Sequence, residues 1–182
     1  MIIKKDYIVI GALVGIGADV IKLSANYTAK LLGFTPVVFW QLVATRFVEK
    51  EDLFSPLAYL IGGVADITVS ALFGIAFVYF IYVFSAKFIW IKGIGFGLSI
   101  WVAAFGTLLG QSVQAKLPQS PPGIVVTIVA HFVFGLALAL LTRSLHLEES
   151  KTTKTKQKLY RVVPEPARKA GDHTKFKKYL KS

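Results

Sequence analysis

Four long stretches of the chain are almost free of charged residues. A membrane-spanning helix needs about 20 mostly apolar residues to cross about 30 Å of hydrocarbon, and each stretch is long enough. The pattern therefore predicts four transmembrane helices, at about residues 7–33, 55–86, 90–115 and 120–143. The predicted fold class is an all-α integral membrane protein built as a four-transmembrane-helix bundle.

Two serine–proline pairs mark the starts of two predicted spans. Ser55-Pro56 precedes the second span and Ser120-Pro121 precedes the fourth. A serine hydroxyl can accept a hydrogen bond from a free N–H of the first helical turn, and a proline at the first helical position loses no hydrogen bond. We therefore expect helices to begin at Pro56 and at Pro121.

A shorter apolar segment, PVVFWQLVATRFVEK, follows the first span. It is too short to cross a membrane as a helix. Four of its residues recur at helical spacing and would share one apolar face: Val37, Trp40, Ala44 and Phe47. The pattern predicts an interfacial helix over about residues 36–49, in the first outer loop. A re-entrant hairpin is the alternative, although no central glycine or proline would break the segment.

Composition separates an apolar core from a basic tail. The chain is 54% hydrophobic and 17% charged, with a net charge of +11, whereas soluble domains carry about 25% charged residues. Residues 144–182 contain 11 Lys or Arg and 4 Asp or Glu, and so supply +7 of the net charge. We predict a membrane domain at 1–147 and a cytoplasmic tail at 148–182 that is disordered, because it combines few hydrophobic residues with high charge.

The basic residues outside the spans also predict orientation. With four spans both termini lie on one side of the membrane, and that side carries the tail together with Lys4, Lys5, Lys87, Lys92 and Arg143. The opposite side carries only Lys30, Arg46, Lys50 and Lys116. Because loops rich in Lys and Arg stay in the cytoplasm, we expect both termini to be cytoplasmic.

Glycines four residues apart recur in two of the spans. Helices in lipid associate through close backbone approach, which small residues at this spacing permit. The predicted helix-packing residues are Gly11, Gly15, Gly93, Gly97, Gly106 and Gly110. Packing within the chain is the simpler interpretation, and a homodimer contact is the alternative.

Ionisable side chains occur inside three of the spans. Asp19 and Lys22 lie near the middle of the first, while Asp66 and His131 each lie about 15 Å from the outer ends of their spans, counting ten residues at 1.5 Å. A charge at the bilayer centre costs at least about 2.5–3.5 kcal/mol, so these groups should face the bundle interior. Asp19 and Lys22 are close enough on one helix to pair. For Asp66 the candidates are His131, Lys22 or its own protonation.

This polar cluster of Asp19, Lys22, Asp66 and His131 admits two functions. Buried ionic groups can be retained because they fix one packing arrangement, which favours a structural or accessory membrane protein. Intramembrane ionisable residues also mark ion and solute pathways. The alternative is therefore a small proton-linked or solute transporter, or a channel-like protein, that uses Asp66 and His131. Four short-looped spans make a thin wall for a pathway, so two copies would then combine.

Signatures of enzymes are weak in this chain. There is no cysteine, which excludes thiol catalysis, and one intramembrane histidine is too few for a zinc site. The stretch GIGAD at 15–19 differs by one residue from the GxGD of intramembrane aspartyl proteases. The extra residue rotates Asp19 by about 100° around the helix. We therefore predict no enzymatic activity, no metal and no cofactor.

The end of the tail suggests contact with a lipid surface. KFKKYLKS places Phe176, Tyr179 and Leu180 along one helical edge among lysines. Anionic headgroups attract such segments at about 1 kcal/mol per basic residue, and the residues that would contact them are Lys175, Lys177, Lys178 and Lys181. A solvated tail that only sets the topology is the alternative. Nucleic acid is not an expected partner, because these lysines lack an ordered scaffold.

Two stretches resemble the YagU-like bacterial inner-membrane proteins. GALVGIGADVIK contains Gly11, Gly15 and Lys22 in the first span, and SPPGIVVTIVAHFVFGLALALLTRS places a Pro-Pro before a last span that carries a histidine and ends in Arg143. The similarity covers the four-span core, roughly residues 7–145. It implies a four-span fold in the bacterial inner (plasma) membrane and no particular activity.

Overall fold

The described part of the chain is helical and contains no strand. The structure, a computed structural model, describes the backbone of residues 6–162 and the side chains of residues 6–144. Its α-helices are α1 Tyr7–Leu31, α2 Phe39–Ala44, α3 Pro56–Phe84, α4 Ile89–Ala103, α5 Gly110–Lys116 and α6 Pro121–Val162. A 3₁₀ turn, Lys50–Asp52, precedes α3, and a π-helical segment, Ala104–Leu108, follows α4. The chain divides into two compact units, Met1–Ser144 and Leu145–Ser182.

Four helices are long and apolar enough to cross a membrane: Tyr7–Leu31, Pro56–Phe84, Ile89–Leu108 and Pro121–Ser144. Their lengths of 20 to 29 residues correspond to about 30–44 Å at 1.5 Å per residue, enough for the hydrocarbon layer. Large apolar side chains such as Leu72 are exposed along them, as lipid-facing residues would be. The all-helical chain with four candidate spans is confirmed, and it is consistent with a multi-pass membrane protein.

The helix starts follow the local chemistry. α3 begins at Pro56 and α6 at Pro121, in line with the two serine–proline pairs. The hydroxyl of Ser55 accepts a hydrogen bond from the backbone N–H of Ala58 at 3.2 Å. At the start of α1, the carboxylate of Asp6 accepts from two backbone N–H groups of the first turn, at 3.0 and 3.2 Å. These bonds satisfy donors that a helix leaves free at its start.

The predicted third span over 90–115 is not one continuous helix. α4 ends at Ala103, and in the π-helical segment the N–H of Leu109 bonds to the carbonyl of Ala104 at 2.7 Å. The hydroxyl of Thr107 bonds to the carbonyl of Ala103, and such local bonds compete with regular helix geometry. The helix resumes only at Gly110, so the uninterrupted span ends at Leu108.

The first close helix crossing joins α1 to α3. A Cβ added at Gly15 would overlap the carbonyl oxygen of Ser70, and one added at Gly74 would overlap the carbonyl of Gly11. Only glycine lets the two backbones approach so closely, which is the geometry that stabilises helix pairs in lipid. Gly11 and Gly15 therefore lie at a contact between helices.

The second close crossing joins α4 to α6 in the same way. A Cβ at Gly97 would overlap the carbonyl oxygen of His131, and one at Gly93 would overlap the carbonyl of Gly135. The spacing of glycines and of the carbonyls they meet matches that of the first crossing. The membrane domain thus contains two helical hairpins that repeat one packing arrangement.

Gly106 and Gly110 do not have the expected packing role. Nothing lies within 4 Å of a Cβ added at Gly106, and one added at Gly110 would meet only the carbonyl of Phe105 in the segment just before it. Both lie at the end of the third span, where the π-helical segment passes into α5. Neither glycine contacts another of the described helices. Packing within the described part of the chain is therefore not confirmed for this pair, and a homodimer contact stays a prediction.

The predicted interfacial helix over 36–49 is not confirmed. Its helical part, α2, has six residues, and five of them are buried. The carbonyl of Trp40 lies against Gly62 of α3, where a Cβ would overlap it, and the indole of Trp40 covers Gly63. A helix in the interface would leave one side to lipid headgroups. Here the protein covers both sides, because α3 presents glycines to one of them.

Asn26 anchors this segment from α1. Its buried side-chain oxygen accepts a hydrogen bond from the backbone N–H of Phe39 at 2.8 Å. Gln41 closes the start of α2 by accepting from the N–H of Val38 at 3.0 Å, and it donates to the carbonyl of Leu53 at 3.4 Å. These side chains supply hydrogen-bond partners to the backbone of the buried segment.

Replacing Asn26 with alanine is expected to lower the free energy of unfolding by about 1–3 kcal/mol, because it leaves the buried N–H of Phe39 without a partner. The matched control is Ser24→Ala, which removes only an exposed hydrogen bond to the carbonyl of Val20 on the same helix. Because the chain has no cysteine, a single Val43→Cys reports on the segment through its rate of maleimide labelling. That rate should rise with Asn26→Ala and stay unchanged with Ser24→Ala.

The tail differs from its prediction where the backbone is described. α6 continues to Val162, so disorder from Glu148 onward is not confirmed up to that residue. No glycine or proline occurs between these two positions, and the lysines and glutamine of KTTKTKQK favour helix. The predicted lipid-contacting residues Lys175, Lys177, Lys178 and Lys181 lie outside the described residues.

Candidate functional site

A buried ion cluster joins α1 to α3. The ammonium of Lys22 lies 2.6 Å from Oδ1 of Asp19 and 2.7 Å from Oδ1 of Asp66. All three side chains are buried, with Lys22 only 3% exposed. Of the candidate partners of Asp66 predicted from the sequence, the structure places Lys22 in contact. We call these three residues the carboxylate–lysine cluster.

The helix crossing positions the cluster. Ser70, whose carbonyl meets Gly15, donates a hydrogen bond from its hydroxyl to Oδ1 of Asp19 at 2.9 Å. Because the same residue forms both contacts, the close approach of the backbones sets the distance between the carboxylates. The Lys22 ammonium also lies 4.2 Å from the ring centre of Phe39, and 5.5 Å from that of Phe134. Side chains of α1, α2, α3 and α6 therefore converge at one point.

The second hairpin carries neutral residues at the matching positions. Four residues after the second glycine of each crossing, α1 has Asp19 and α4 has Trp101. On the partner helix of the first crossing, Asp66 lies four residues before Ser70, whose carbonyl Gly15 meets. On the partner helix of the second crossing, Thr127 lies four residues before His131, whose carbonyl Gly97 meets. Trp101 Nε1 donates to the hydroxyl of Thr127 at 2.9 Å. The repeated crossing thus holds ions in one hairpin and a single neutral hydrogen bond in the other, so one crossing of this kind forms without charges at these positions.

Two carboxylate oxygens in the cluster have no hydrogen-bond partner. They are Oδ2 of Asp19 and Oδ2 of Asp66, and both are fully shielded from solvent. One ammonium is shared between two carboxylates, so a fully ionised cluster carries one excess negative charge. Buried charges without compensation are costly in a low-dielectric interior. The cluster can therefore accept a proton or a cation.

His131 is close to the cluster but does not pair with Asp66. Its Nδ1 lies 2.9 Å from the carbonyl oxygen of Thr127, one turn earlier on α6. Its ring packs against Phe39 and Phe105, with centroids 5.4 and 6.0 Å away. The structure thus brings all four predicted polar residues into one region and bonds three of them directly.

A cavity of about 270 Å³ adjoins the cluster. Its inner wall consists of buried side chains, among them Lys22, Phe39, Asp66, Ser70, His131 and Phe134. Its outer rim consists of exposed residues: Arg46, Phe47, Val69, Ala103 and Leu108. Val69 lies thirteen residues after the start of α3, at roughly 20 Å along this helix. The cavity therefore opens sideways, beside the middle of α3.

Arg46 is the one cation at the rim of this cavity. It is exposed, and among the residues with described side chains its guanidinium has no ion pair or hydrogen bond. Sequence periodicity did not point to Arg46, Asn26 or Phe39, because their role depends on the inward position of the segment around α2. Across residues 6–144, no group of three or more His, Cys, Asp or Glu side chains is arranged to hold a metal ion.

No family model, no curated protein and no solved structure matches the chain. The resemblance to the YagU-like proteins therefore stays a prediction. The functional conclusions that follow rest on the site itself.

Proposed function

We propose that the protein is a small membrane carrier that couples the movement of a solute to a proton held at Asp66. The observation that carries this proposal is that Asp66 and His131 line one cavity whose exposed rim includes Val69, near the middle of the candidate membrane helix α3. Helix bundles in lipid are stabilised by tight packing, and an open volume beside their ionic residues forgoes part of that packing. A binding role accounts for such a volume.

The charge balance of the carboxylate–lysine cluster supports coupling to a proton. Two carboxylates share the ammonium of Lys22, and each keeps one unbonded oxygen. A proton on Asp66 makes the cluster neutral and removes the cost of an excess charge in the membrane. Of the two carboxylates, Asp66 lines the cavity and Asp19 does not, so Asp66 is the one that borders the space for a solute.

A structural or accessory role without transport is the second candidate. It is favoured by the direct bonds between Lys22 and both carboxylates and by the hydroxyl of Ser70 on Asp19. Such a network can fix the register of two helices even where it adds little stability. Neither candidate assigns a catalytic residue.

Flux measurements separate the two candidates. In liposomes with an internal pH-sensitive dye and an imposed pH gradient, Asp66→Asn is expected to lower protein-dependent proton flux at least about tenfold, because it removes the group that exchanges the proton. The melting temperature, measured in the same detergent, should change little, since the amide keeps the shape of the side chain. Glu51→Gln is the matched control, because it removes an exposed carboxylate that does not line the cavity.

The opposite result supports the structural candidate. If Asp66→Asn leaves proton flux at the wild-type level and lowers thermal stability, the carrier proposal is wrong and the cluster serves packing. A loss of flux with Glu51→Gln as large as that with Asp66→Asn would also count against a role for the cavity.

We also propose that the protein lies in the bacterial inner membrane with both termini in the cytoplasm. The support is the excess of Lys and Arg on the side that holds the termini and the tail. On this proposal the cavity is reached from the bilayer and the lysines near residue 180 contact anionic headgroups. In a homodimer, the second copy would add helices around a pathway that four spans alone enclose only thinly.

A further inference from the structure

We propose that the cavity binds a lipophilic organic cation, an ammonium group attached to an apolar body, with its charge beside Asp66. This proposal rests on the proposed function for the step of transport, but binding itself can be tested without transport. The carboxylate of Asp66 is 5% exposed, lines the cavity and keeps one oxygen without a hydrogen-bond partner. An unpartnered buried carboxylate oxygen is a site for a donor or a cation.

The charges around the cavity favour a cation over an anion. α1 contributes Asp19 and Lys22, α3 contributes Asp66, and α6 contributes His131, which is neutral unless protonated. α4 contributes no charged side chain to the lining, and Arg46 stands at the exposed rim. The ammonium of Lys22 is already bonded to both carboxylates. The inner end of the cavity therefore has one negative charge in excess when no proton is bound.

The walls suit an apolar body that carries the charge. Phe39, Phe73 and Phe134 line the cavity. Two of these rings, Phe39 and Phe134, already lie within 4.2 and 5.5 Å of the Lys22 ammonium, so the region accommodates a cation near aromatic rings. Cations are attracted to the faces of such rings, most strongly where both are desolvated. A volume of about 270 Å³ admits a compound with one ring better than a large polycyclic one.

The position of the rim selects a compound that dissolves in the bilayer. Val69 and Leu108 are 45% and 64% exposed, and both lie at the rim on helices that are long and apolar enough to cross a membrane. A strongly hydrated ion does not reach such an opening, whereas an amphiphilic ammonium partitions into the membrane. Entry of one monovalent cation releases the proton of Asp66 to water. One O–H bond breaks, and the charge of the site is unchanged.

Benzyltrimethylammonium is a suitable probe, because neopentylbenzene is its neutral isostere and phenylmethanesulfonate is a comparable anion. Binding is measured by equilibrium dialysis with the full-length protein in lipid nanodiscs, against empty nanodiscs. We expect the cation to bind at least about tenfold more tightly than either control compound, a difference of about 1.4 kcal/mol. Its affinity should fall as the pH is lowered, because a proton then competes for Asp66.

Two variants test the site independently. Asp66→Asn should weaken binding of the cation at least about tenfold, and Glu51→Gln should leave it unchanged. Val69→Trp fills the exposed rim without altering a charge, so it should also abolish binding while the carboxylate–lysine cluster stays intact. If Asp66→Asn does not fold, Val69→Trp alone decides the test.

Three outcomes would overturn the proposal. The first is that neopentylbenzene binds as tightly as the cation, and the second is that phenylmethanesulfonate binds more tightly than the cation. The third is that Val69→Trp binds the cation as tightly as the wild-type protein does. A failure of the cation proposal can be distinguished from a failure of the proposed function by two results. If proton flux depends on Asp66 while no cation binds, the carrier proposal stands and the solute class is wrong. If the cation binds and no flux occurs, the cavity is a binding site without transport.

Discussion

Replacing Lys22 with methionine is expected to lower the free energy of unfolding by about 3–5 kcal/mol, the usual cost of removing one partner from a buried ion pair. Methionine has a similar length and fills the same volume, so the loss is electrostatic. The two carboxylates lose the ammonium that lies 2.6 and 2.7 Å away. They then face each other inside the bundle, where at least one of them has to take up a proton.

The matched control is Lys30→Met on the same helix. Lys30 lies in the last turn of α1 and is only partly buried, so its removal should cost less than about 1 kcal/mol. Unfolding is followed by circular dichroism during reversible denaturation in mixed micelles. The interpretation is wrong if Lys22→Met and Lys30→Met destabilise the protein equally.

A neutral version of the cluster should recover most of the loss. In the triple variant Asp19→Asn, Lys22→Met, Asp66→Asn no buried charge remains, and buried ion networks can often be replaced by uncharged groups at little cost in stability. The hydrogen bond between Trp101 and Thr127, at the matching positions of the second hairpin, shows that the crossing of α4 and α6 forms with neutral side chains there. If the triple variant regains stability but not proton flux, the charges are needed for function and not for folding.

The sequence was sufficient to predict that the polar residues lie in one region. Counting along a helix of 1.5 Å per residue places Asp66 and His131 at one level, and a spacing of three residues pairs Asp19 with Lys22. It was not sufficient to choose between His131 and Lys22 as the partner of Asp66. That choice depends on how far α3 is rotated about its axis, which the close approach of Gly15 to the carbonyl of Ser70 determines.

The same limit explains the errors in the third span and the outer segment. Gly106 and Gly110 have the spacing of a packing motif, but they lie at a π-helical segment and pack against no other helix among the described residues. Around α2, the apolar periodicity indicated one buried face. The second face is buried because Asn26 and Gly62, distant in sequence, complete the hydrogen bonding and the packing of the segment. Local patterns do not contain such contacts.

Two glycines of α4 that look alike in sequence are expected to respond to alanine with opposite signs. Gly97→Ala should lower the free energy of unfolding by about 1–3 kcal/mol, as overpacking does, because the new methyl group overlaps the carbonyl oxygen of His131. Gly95→Ala, two residues earlier on the same helix, adds a methyl group where nothing lies within 4 Å. It should stabilise the protein by up to about 1 kcal/mol, since alanine favours helix over glycine.

The pair also tests whether the crossing and the cavity depend on each other. Moving α4 away from α6 shifts His131, which lines the cavity, whereas Gly95→Ala leaves that contact unchanged. Denaturation in mixed micelles measures the stability of both variants, and binding of benzyltrimethylammonium to each reports on the cavity. Loss of affinity with Gly97→Ala alone would link the backbone contact to the site. A loss of stability of the same size in both variants would contradict the close approach of these helices, because the two substitutions differ only in what the added methyl group meets.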